Sequence, residues 1–380
     1  MPMKPPISGE AYPAARAVAG RVHSHFERHL LGAHPLASLP EVAAIETIVD
    51  AAFWASLRRE EGYVPRISLA FVAPSQVAHP LIFDRSLSLS AAGLARLAPA
   101  VERAGIHLGV WPDRDELRVW GTTRSVPAYC FVLEVAAPGL LVIKHHRGGE
   151  SGKFVNVAVL EGDQIKVIDE QASNLPECPE LLTSLLGFES AASWVNSVNV
   201  LVQLAVSMRA HRRGGALLVV PSGTEAWRES IVHPISYGVA PPFSVLVDLM
   251  NEAEDQRLHH RWLEAWSRAI DAVAGLTAVD GATILTDQYE LLGFGAKIAR
   301  RKGSPQVEQV RVTEPIEGAV AIVVHPTQLG GTRHLSAAQF VQDQREAGAL
   351  VASQDGRFTV FAWSPCEDMV HAHRVEALLL

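Results

Sequence analysis

Six short β-rich segments follow one another between residues 106 and 171 and constrain the fold more than any other feature. They read IHLGVW, ELRVWGTT, YCFVLEVA, GLLVIKHH, KFVNVAVLEG and QIKVIDEQ, and most of them are bounded by glycine, proline or aspartate. Such a series predicts an antiparallel meander. The sequence also predicts helices at 14–32, 39–60 and 90–104 and a strand at 66–73. We therefore expect a smaller, β-rich α+β domain in the N-terminal part of the chain.

From about residue 190 the pattern changes, because predicted helices and strands alternate. SWVNSVNVLVQLAVSMRAHRR predicts a long helix, and residues 242–275 are also predicted to be helical. GGALLVVPSG and GAVAIVVHP each predict a buried strand, and GALVASQDG and RFTVFAW predict two more strands. The polar segment QASNLPECPE (171–180) is the predicted linker. We place an N-terminal α+β module at 1–175 and an α/β domain at 190–370.

The composition excludes several classes of protein. The chain has 380 residues, of which 48% are hydrophobic and 19% charged, so it can build a sizeable core and is not expected to be disordered. Its net charge of −8 disfavours a protein that coats nucleic acid, although a local basic pocket remains compatible with it. The three widely spaced cysteines predict reduced thiols and a cytoplasmic location. We expect neither a signal peptide nor a membrane span.

Several suggestive patterns do not meet the requirements of a known site. HHRGGESGKF (145–154) resembles a phosphate-binding loop, but Phe154 stands where the motif needs serine or threonine, so a hairpin tip is predicted. The sixteen histidines form no metal motif, and His371 and His373 are expected on a frayed C-terminal tail. Trp262 and Trp266 could stack on bases, but their helical spacing favours packing in the core. No serine-hydrolase elbow is present.

The segment GGTRHLSAA (330–338) carries the strongest signal for a binding site. Gly331 lets the backbone approach a ligand, and the start of the following helix offers free N–H groups to an anion. Thr332 can cap that helix or donate to an oxygen, Arg333 offers a fork that suits phosphate, and His334 adds a second donor. An ordinary helix cap with a surface arginine explains the same residues equally well.

Two further segments favour the binding site over the ordinary helix cap. In TAVDGATIL (277–285), Asp280 and Gly281 come directly before the strand that begins near Ala282. A carboxylate beside a glycine at the end of a strand can hold a metal ion or a ribose hydroxyl, although alone it is usually only a turn. The strand GALLVV (215–220) is likewise entered through two glycines.

These three segments, in this order, resemble the diadenylate cyclase (DAC) domain over roughly residues 190–365. The resemblance implies a mixed sheet with flanking helices and a pocket for nucleotides. It implies that Asp280, Gly281 and Ala282 line one side of the pocket, and that Gly331, Thr332, Arg333 and His334 hold phosphates on the other. In an active member Asp280 would be the catalytic residue and metal ligand, and magnesium or manganese would accompany a bound nucleoside triphosphate.

The chain departs from the DAC pattern at two places. Leu335 replaces an arginine, and Ser353, Gln354 and Asp355 stand where the family has serine and two acidic residues. Phosphoryl transfer depends on positioning and charge neutralisation, so these losses threaten catalysis more than binding. The pattern resembles the divergent group called DACNV, a group of probable sensors. We predict that the chain is a catalytically impaired homologue of the diadenylate cyclases. In this prediction it acts as a sensor that recognises a nucleotide or cyclic dinucleotide. The alternatives are an active cyclase making cyclic di-AMP from two ATP molecules, and a scaffold with a relic pocket. A homo-oligomer is compatible with each.

Overall fold

The computed structural model of the chain describes residues 11–30, 37–59, 62–146, 154–169, 199–253 and 256–380. The chain divides into two compact units, residues 1–168 with Leu380 and residues 169–379. Each unit contains a mixed β-sheet, and the described residues include seven α-helices, so the α/β class is confirmed. The predicted linker at 171–180 lies outside the described residues, and the domain bounds at 1–175 and 190–370 remain a prediction.

The described part of the first unit has three helices and eight strands. The helices are α1 (Pro13–Leu30), α2 (Val42–Ser56) and α3 (Ala91–Val101). The strands are β1 (Ile67–Phe71), β2 (Leu81–Ser88), β3 (His107–Asp113), β4 (Glu116–Thr123), β5 (Phe131–Ala137), β6 (Leu140–His146), β7 (Phe154–Glu161) and β8 (Gln164–Val167). They form one sheet in the order β2-β4-β3-β1-β5-β6-β7-β8. The four strands β5 to β8 are consecutive and antiparallel, which confirms the meander there, whereas β1 inserts between β3 and β5 and runs parallel to β3.

Apolar side chains at helical spacing bind the helices of this unit to its sheet. Ile45, Ile48 and Val49 lie on one face of α2 and are fully buried, as the sequence periodicity predicts. They join Phe26 of α1 and Leu94 of α3 in a single core. Burial of each side chain of this size is worth about 1.5–3 kcal/mol relative to leaving it exposed.

The described part of the second unit has four helices and nine strands. The helices are α4 (Val200–Ala210), α5 (Val245–Met250), α6 (His260–Leu276) and α7 (Thr332–Asp343). The strands are β9 (Gly215–Val220), β10 (Tyr237–Phe243), β11 (Ala282–Thr286), β12 (Leu291–Ala296), β13 (Val310–Thr313), β14 (Ile322–Val324), β15 (Gly348–Ala352), β16 (Phe358–Ser364) and β17 (Met369–Arg374). The sheet order is β10-β12-β11-β9-β15-β16-β17-β13-β14, with β9–β11 and β13–β17 parallel and the other pairs antiparallel.

The central strand β9 is buried on both faces, which explains its continuous apolar sequence. Leu217 and Val219 join the core that contains α4 and α6, whereas Leu218 joins the core that contains α7. Trp262 and Trp266 of α6 are buried in the first of these cores and stack at 5.1 Å, which confirms the prediction that they pack rather than present a surface.

Three predictions for this unit are wrong. GAVAIVVHP was expected to be a buried strand, but only Ile322–Val324 is a strand, at the outer edge of the sheet, and Ile322 is 55% exposed. An apolar run alone does not distinguish an edge strand from a central one. The segment 242–275 is not continuously helical, because α5 ends at Met250 and α6 begins only at His260. His371 and His373 lie buried on β17, between β16 and β13, rather than on a frayed tail.

Candidate functional site

The three segments that the sequence singles out converge at one end of the second sheet. Strands β9 and β11 run parallel with Ala216 opposite Ala282, so Gly215 and Gly281 precede the same rung of the sheet. Strand β15 runs antiparallel to β9 and ends at Ala352, opposite Gly215. We call this region, formed by 214–215, 280–282 and 353–355, the Asp280 end of the sheet.

Gly281 is required at this end because another strand approaches it closely. Its φ is +113°, and a Cβ atom at this position would lie 2.4 Å from the carbonyl carbon of Gly295 on β12. A side chain at position 281 would therefore collide with the backbone of Gly295, and it would also strain the backbone of residue 281 itself. Gly295 also has a positive φ, of +66°, and the Tyr237 ring lies 2.8 Å from where its Cβ would be. These glycines fix the position of Asp280 relative to β12.

The helix α7 begins at the predicted place, but its cap differs from the prediction. Its N-cap is Gly331, which has no side chain to accept from the first turn, and Thr332 is the first helical residue. Both residues are exposed. The first turn of α7 thus presents backbone N–H groups that no side chain caps.

Arg333 reaches from α7 to the Asp280 end of the sheet. One terminal nitrogen of its guanidinium lies 3.1 Å from the position that a Cβ atom on Gly214 would take. The side chain is half-buried, and no hydrogen bond or ion pair joins its guanidinium to another of the described residues. Its charge is felt at Asp280, where it contributes to lowering the pKa of the carboxyl. The structure therefore brings Arg333 and Asp280 to the same end of the sheet.

Asp280 is exposed and paired with Lys297, which follows β12. The Lys297 Nζ donates to Asp280 Oδ2 at 2.5 Å, and the side chains of Lys297 and Asp280 are 53% and 88% exposed. The hydrogen bond and charge of Lys297, more than the charge of Arg333, lower the pKa of Asp280. Asp280 is consequently an anion at neutral pH that already has a cation beside it.

His334 lies elsewhere, beneath the helix. Its side chain is only 3% exposed, its Nε2 lies 3.5 Å from the Thr359 hydroxyl of β16, and its ring packs edge-on against Phe361. Burial lowers its pKa, so the imidazole is neutral at pH 7. The structure thus brings Thr332 and Arg333 to an open surface but not His334, whose predicted phosphate contact remains a prediction.

The residues after β15 stand where the DAC pattern has acidic residues. The Asp355 carboxylate accepts from Ser353 and lies 3.4 Å from the Arg357 Nε, and the Ser353 hydroxyl chiefly lowers its pKa. Gln354 has its Cγ 3.4 Å from the Cβ position of Gly214. The side chain beside Arg333 is therefore an uncharged amide.

Two aromatic residues that the sequence analysis missed lie next to this region. Tyr237 of β10 is directly opposite Phe294 of β12, and their rings stack 4.8 Å apart with an interplanar angle of 15°. Tyr237 is 52% exposed. Its ring and the Asp280 carbonyl oxygen both lie within 4 Å of the Cβ position of Gly295. The partly exposed Tyr237 ring therefore lies near the backbone of Asp280.

Comparison with known proteins gives one family match. Residues 34–124 match the family model described as "Probable sensor domain DACNV", which confirms the expected resemblance to that group. The match lies in the first unit, whereas the segments that suggested the resemblance lie in the second. It is consistent with a sensor role for the chain. No curated protein matches the sequence, and no described helix is long and apolar enough to cross a membrane.

Proposed function

We propose that the chain is a nucleotide sensor whose ligand binds at the Asp280 end of the second sheet. In this proposal Arg333 and the first turn of α7 hold phosphate oxygens, and Asp280 lies on the ribose side. The exposed ring of Tyr237 offers a surface on which a base can stack. The observation that carries the proposal is the half-buried Arg333 guanidinium at the Asp280 end of the sheet, which makes no hydrogen bond or ion pair with the described residues.

The physical argument rests on the hydrogen bonds that the Arg333 guanidinium can still make to a ligand. A guanidinium makes strong, forked hydrogen bonds to phosphate, and hydrogen bonds to charged groups are worth about 1.5–3 kcal/mol. A helix N-terminus adds N–H donors and a partial positive charge. Arg333 and the uncapped turn of α7 are adjacent, so a phosphate group could receive both kinds of donor at once.

The relation to diadenylate cyclases belongs to the same proposal. The order of the three segments and the mixed sheet with helices on both faces support a DAC-like second unit. Leu335 is partly buried against the core beneath α7, so it adds no charge to the site. Gln354 adds none either. We infer that the site binds a nucleotide or cyclic dinucleotide, such as ATP or cyclic di-AMP, without efficient turnover.

A calorimetric titration of the purified chain with ATP, ADP, AMP and cyclic di-AMP tests this function. We expect saturable binding of at least one of these ligands and a corresponding thermal shift. A chain that binds none of them contradicts the proposal and leaves GGTRHLSAA as a helix start without a ligand.

An active diadenylate cyclase is the second candidate, and one observation favours it. The probable sensor match at 34–124 lies outside the second unit, which leaves that unit available as an enzymatic output. Incubation with ATP and manganese, followed by chromatography for cyclic di-AMP, separates the two functions. Metal-dependent product above a heat-inactivated control supports the cyclase.

A further inference from the structure

The carboxylates at the Asp280 end of the sheet are already neutralised by the chain's own cations. Asp280 is paired with Lys297 at 2.5 Å, and Asp355 is paired with Arg357 at 3.4 Å. Magnesium and manganese prefer several oxygen ligands in a near-octahedral arrangement. Among the described residues no group of three or more histidine, cysteine or acidic side chains is placed to hold a metal ion. A magnesium ion beside a nucleotide needs only one or two protein carboxylates, but Asp280, the carboxylate that the DAC resemblance assigns to it, already holds the Lys297 ammonium. The residues present therefore do not fit the divalent ion that the resemblance implies.

We propose that Lys297 takes the place of that ion, so that the site binds the phosphates of its ligand without a divalent metal. The proposal rests on the proposed function, because it assigns the counter-charge within the same site. An ammonium group has three N–H donors, and the contact with Asp280 uses one of them. The remaining two can be donated to phosphate oxygens, and the half-exposed side chain has room to do so.

The geometry explains how one lysine can serve this purpose. Asp280 holds the Lys297 ammonium at the end of the sheet to which Arg333 also extends. Lys297 and Arg333 then act on Asp280, while Arg357 offsets Asp355, which leaves one positive charge for an anionic ligand. Lysine acts on phosphate as a point charge, much as a small cation does, whereas arginine supplies the directional fork.

The test is calorimetric titration with ATP and with cyclic di-AMP, once in EDTA and once in magnesium. The wild-type chain should bind at least as tightly in EDTA as in magnesium. Lys297→Met should weaken binding in EDTA by roughly tenfold or more, because it removes a charge-assisted contact. Lys302→Met is the matched control, since Lys302 is an exposed lysine in the same loop, and it should bind like the wild type.

The outcomes separate this inference from the proposed function. Binding that appears only with magnesium overturns the role of Lys297 and leaves the nucleotide sensor standing. Equal binding by Lys297→Met and the wild type in EDTA also overturns it. If the wild type binds neither ATP nor cyclic di-AMP, in EDTA or in magnesium, the inference and the proposed function are overturned together.

Discussion

Replacement of Arg333 by alanine is the most direct perturbation of the proposed site. The guanidinium makes no hydrogen bond or ion pair with the described residues. Its removal therefore breaks no buried ion pair. We therefore expect the free energy of unfolding to change by no more than about 0.5 kcal/mol, as for an ordinary surface substitution. Loss of a charge-assisted contact to phosphate should cost about 1.5–3 kcal/mol of binding, which weakens the affinity by roughly ten- to a hundredfold.

Calorimetry on three variants measures this effect and its specificity. Arg333→Lys keeps the charge but loses the fork, so it should bind with intermediate affinity. Arg345→Ala removes a charge beyond the opposite end of α7, a helix of about 16 Å at 1.5 Å per residue. Arg345 is exposed and paired with Asp368, so the variant should bind like the wild type. Equal affinity of Arg333→Ala and the wild type, or an equal loss in Arg345→Ala, would refute the reasoning.

Three further predictions concern neighbouring features. Tyr237→Ala should weaken nucleotide binding by roughly five- to a hundredfold, since stacking of a base on an aromatic ring is worth about 1–3 kcal/mol. Tyr237→Phe keeps the ring and should bind like the wild type. Equal calorimetric affinities of the wild type and both variants would show that no base stacks on this ring. Gly281→Ala should lower the free energy of unfolding by about 1–3 kcal/mol, because the new Cβ atom would collide with Gly295. The loss should exceed that of Gly303→Ala, whose φ is also positive but whose surroundings are open. Equal losses in urea titrations would contradict the close approach of Gly295 to Gly281. Burial lowers the pKa of His373 to about 3, so the stability contributed by its neutral form is complete above the unfolded pKa of about 6.5 and falls by about 1.4 kcal/mol per pH unit below it. Between about pH 7 and pH 5 this loss amounts to about 2 kcal/mol, because only the roughly 1.5 units below about pH 6.5 contribute. In urea titrations at these two pH values, His373→Gln should lose less stability than the wild type by this amount, and an equal loss would show that His373 does not carry the effect.

The positions of Asp280 and Arg333 could be predicted from sequence because each depends on local rules. A glycine pair before good helix formers indicates a helix start, and an aspartate–glycine pair before an apolar run indicates the entry to a strand. The structure places Asp280 directly before β11 and Arg333 in the first turn of α7. That these two ends meet depends on the parallel pairing of β9 with β11, and the expectation that they share one pocket came from the DAC resemblance rather than from a local rule.

Lys297, Tyr237 and the orientation of His334 could not be predicted in this way. Lys297 and Tyr237 reach the site through β12 and β10, whose pairing contains register shifts that no sequence period reveals. Consecutive residues on an α-helix point about 100° apart. For that reason Arg333 and His334, although adjacent in the motif, face different surroundings. Arg333 reaches the Asp280 end of the sheet, whereas the His334 ring is buried beneath α7.

The Asp280 end of the sheet adjoins β9, β11 and β15, and Arg333 reaches it from α7. A ligand bound there would therefore stabilise the second unit as a whole. Its contacts come from segments that are far apart along the chain, so an unfolded chain cannot present them together. A ligand that binds only the native state raises the free energy of unfolding by about 2.7 kcal/mol at a hundred times its Kd. Occupancy would then lower the population of opened molecules, and resistance of the second unit to proteolysis would rise with ligand concentration.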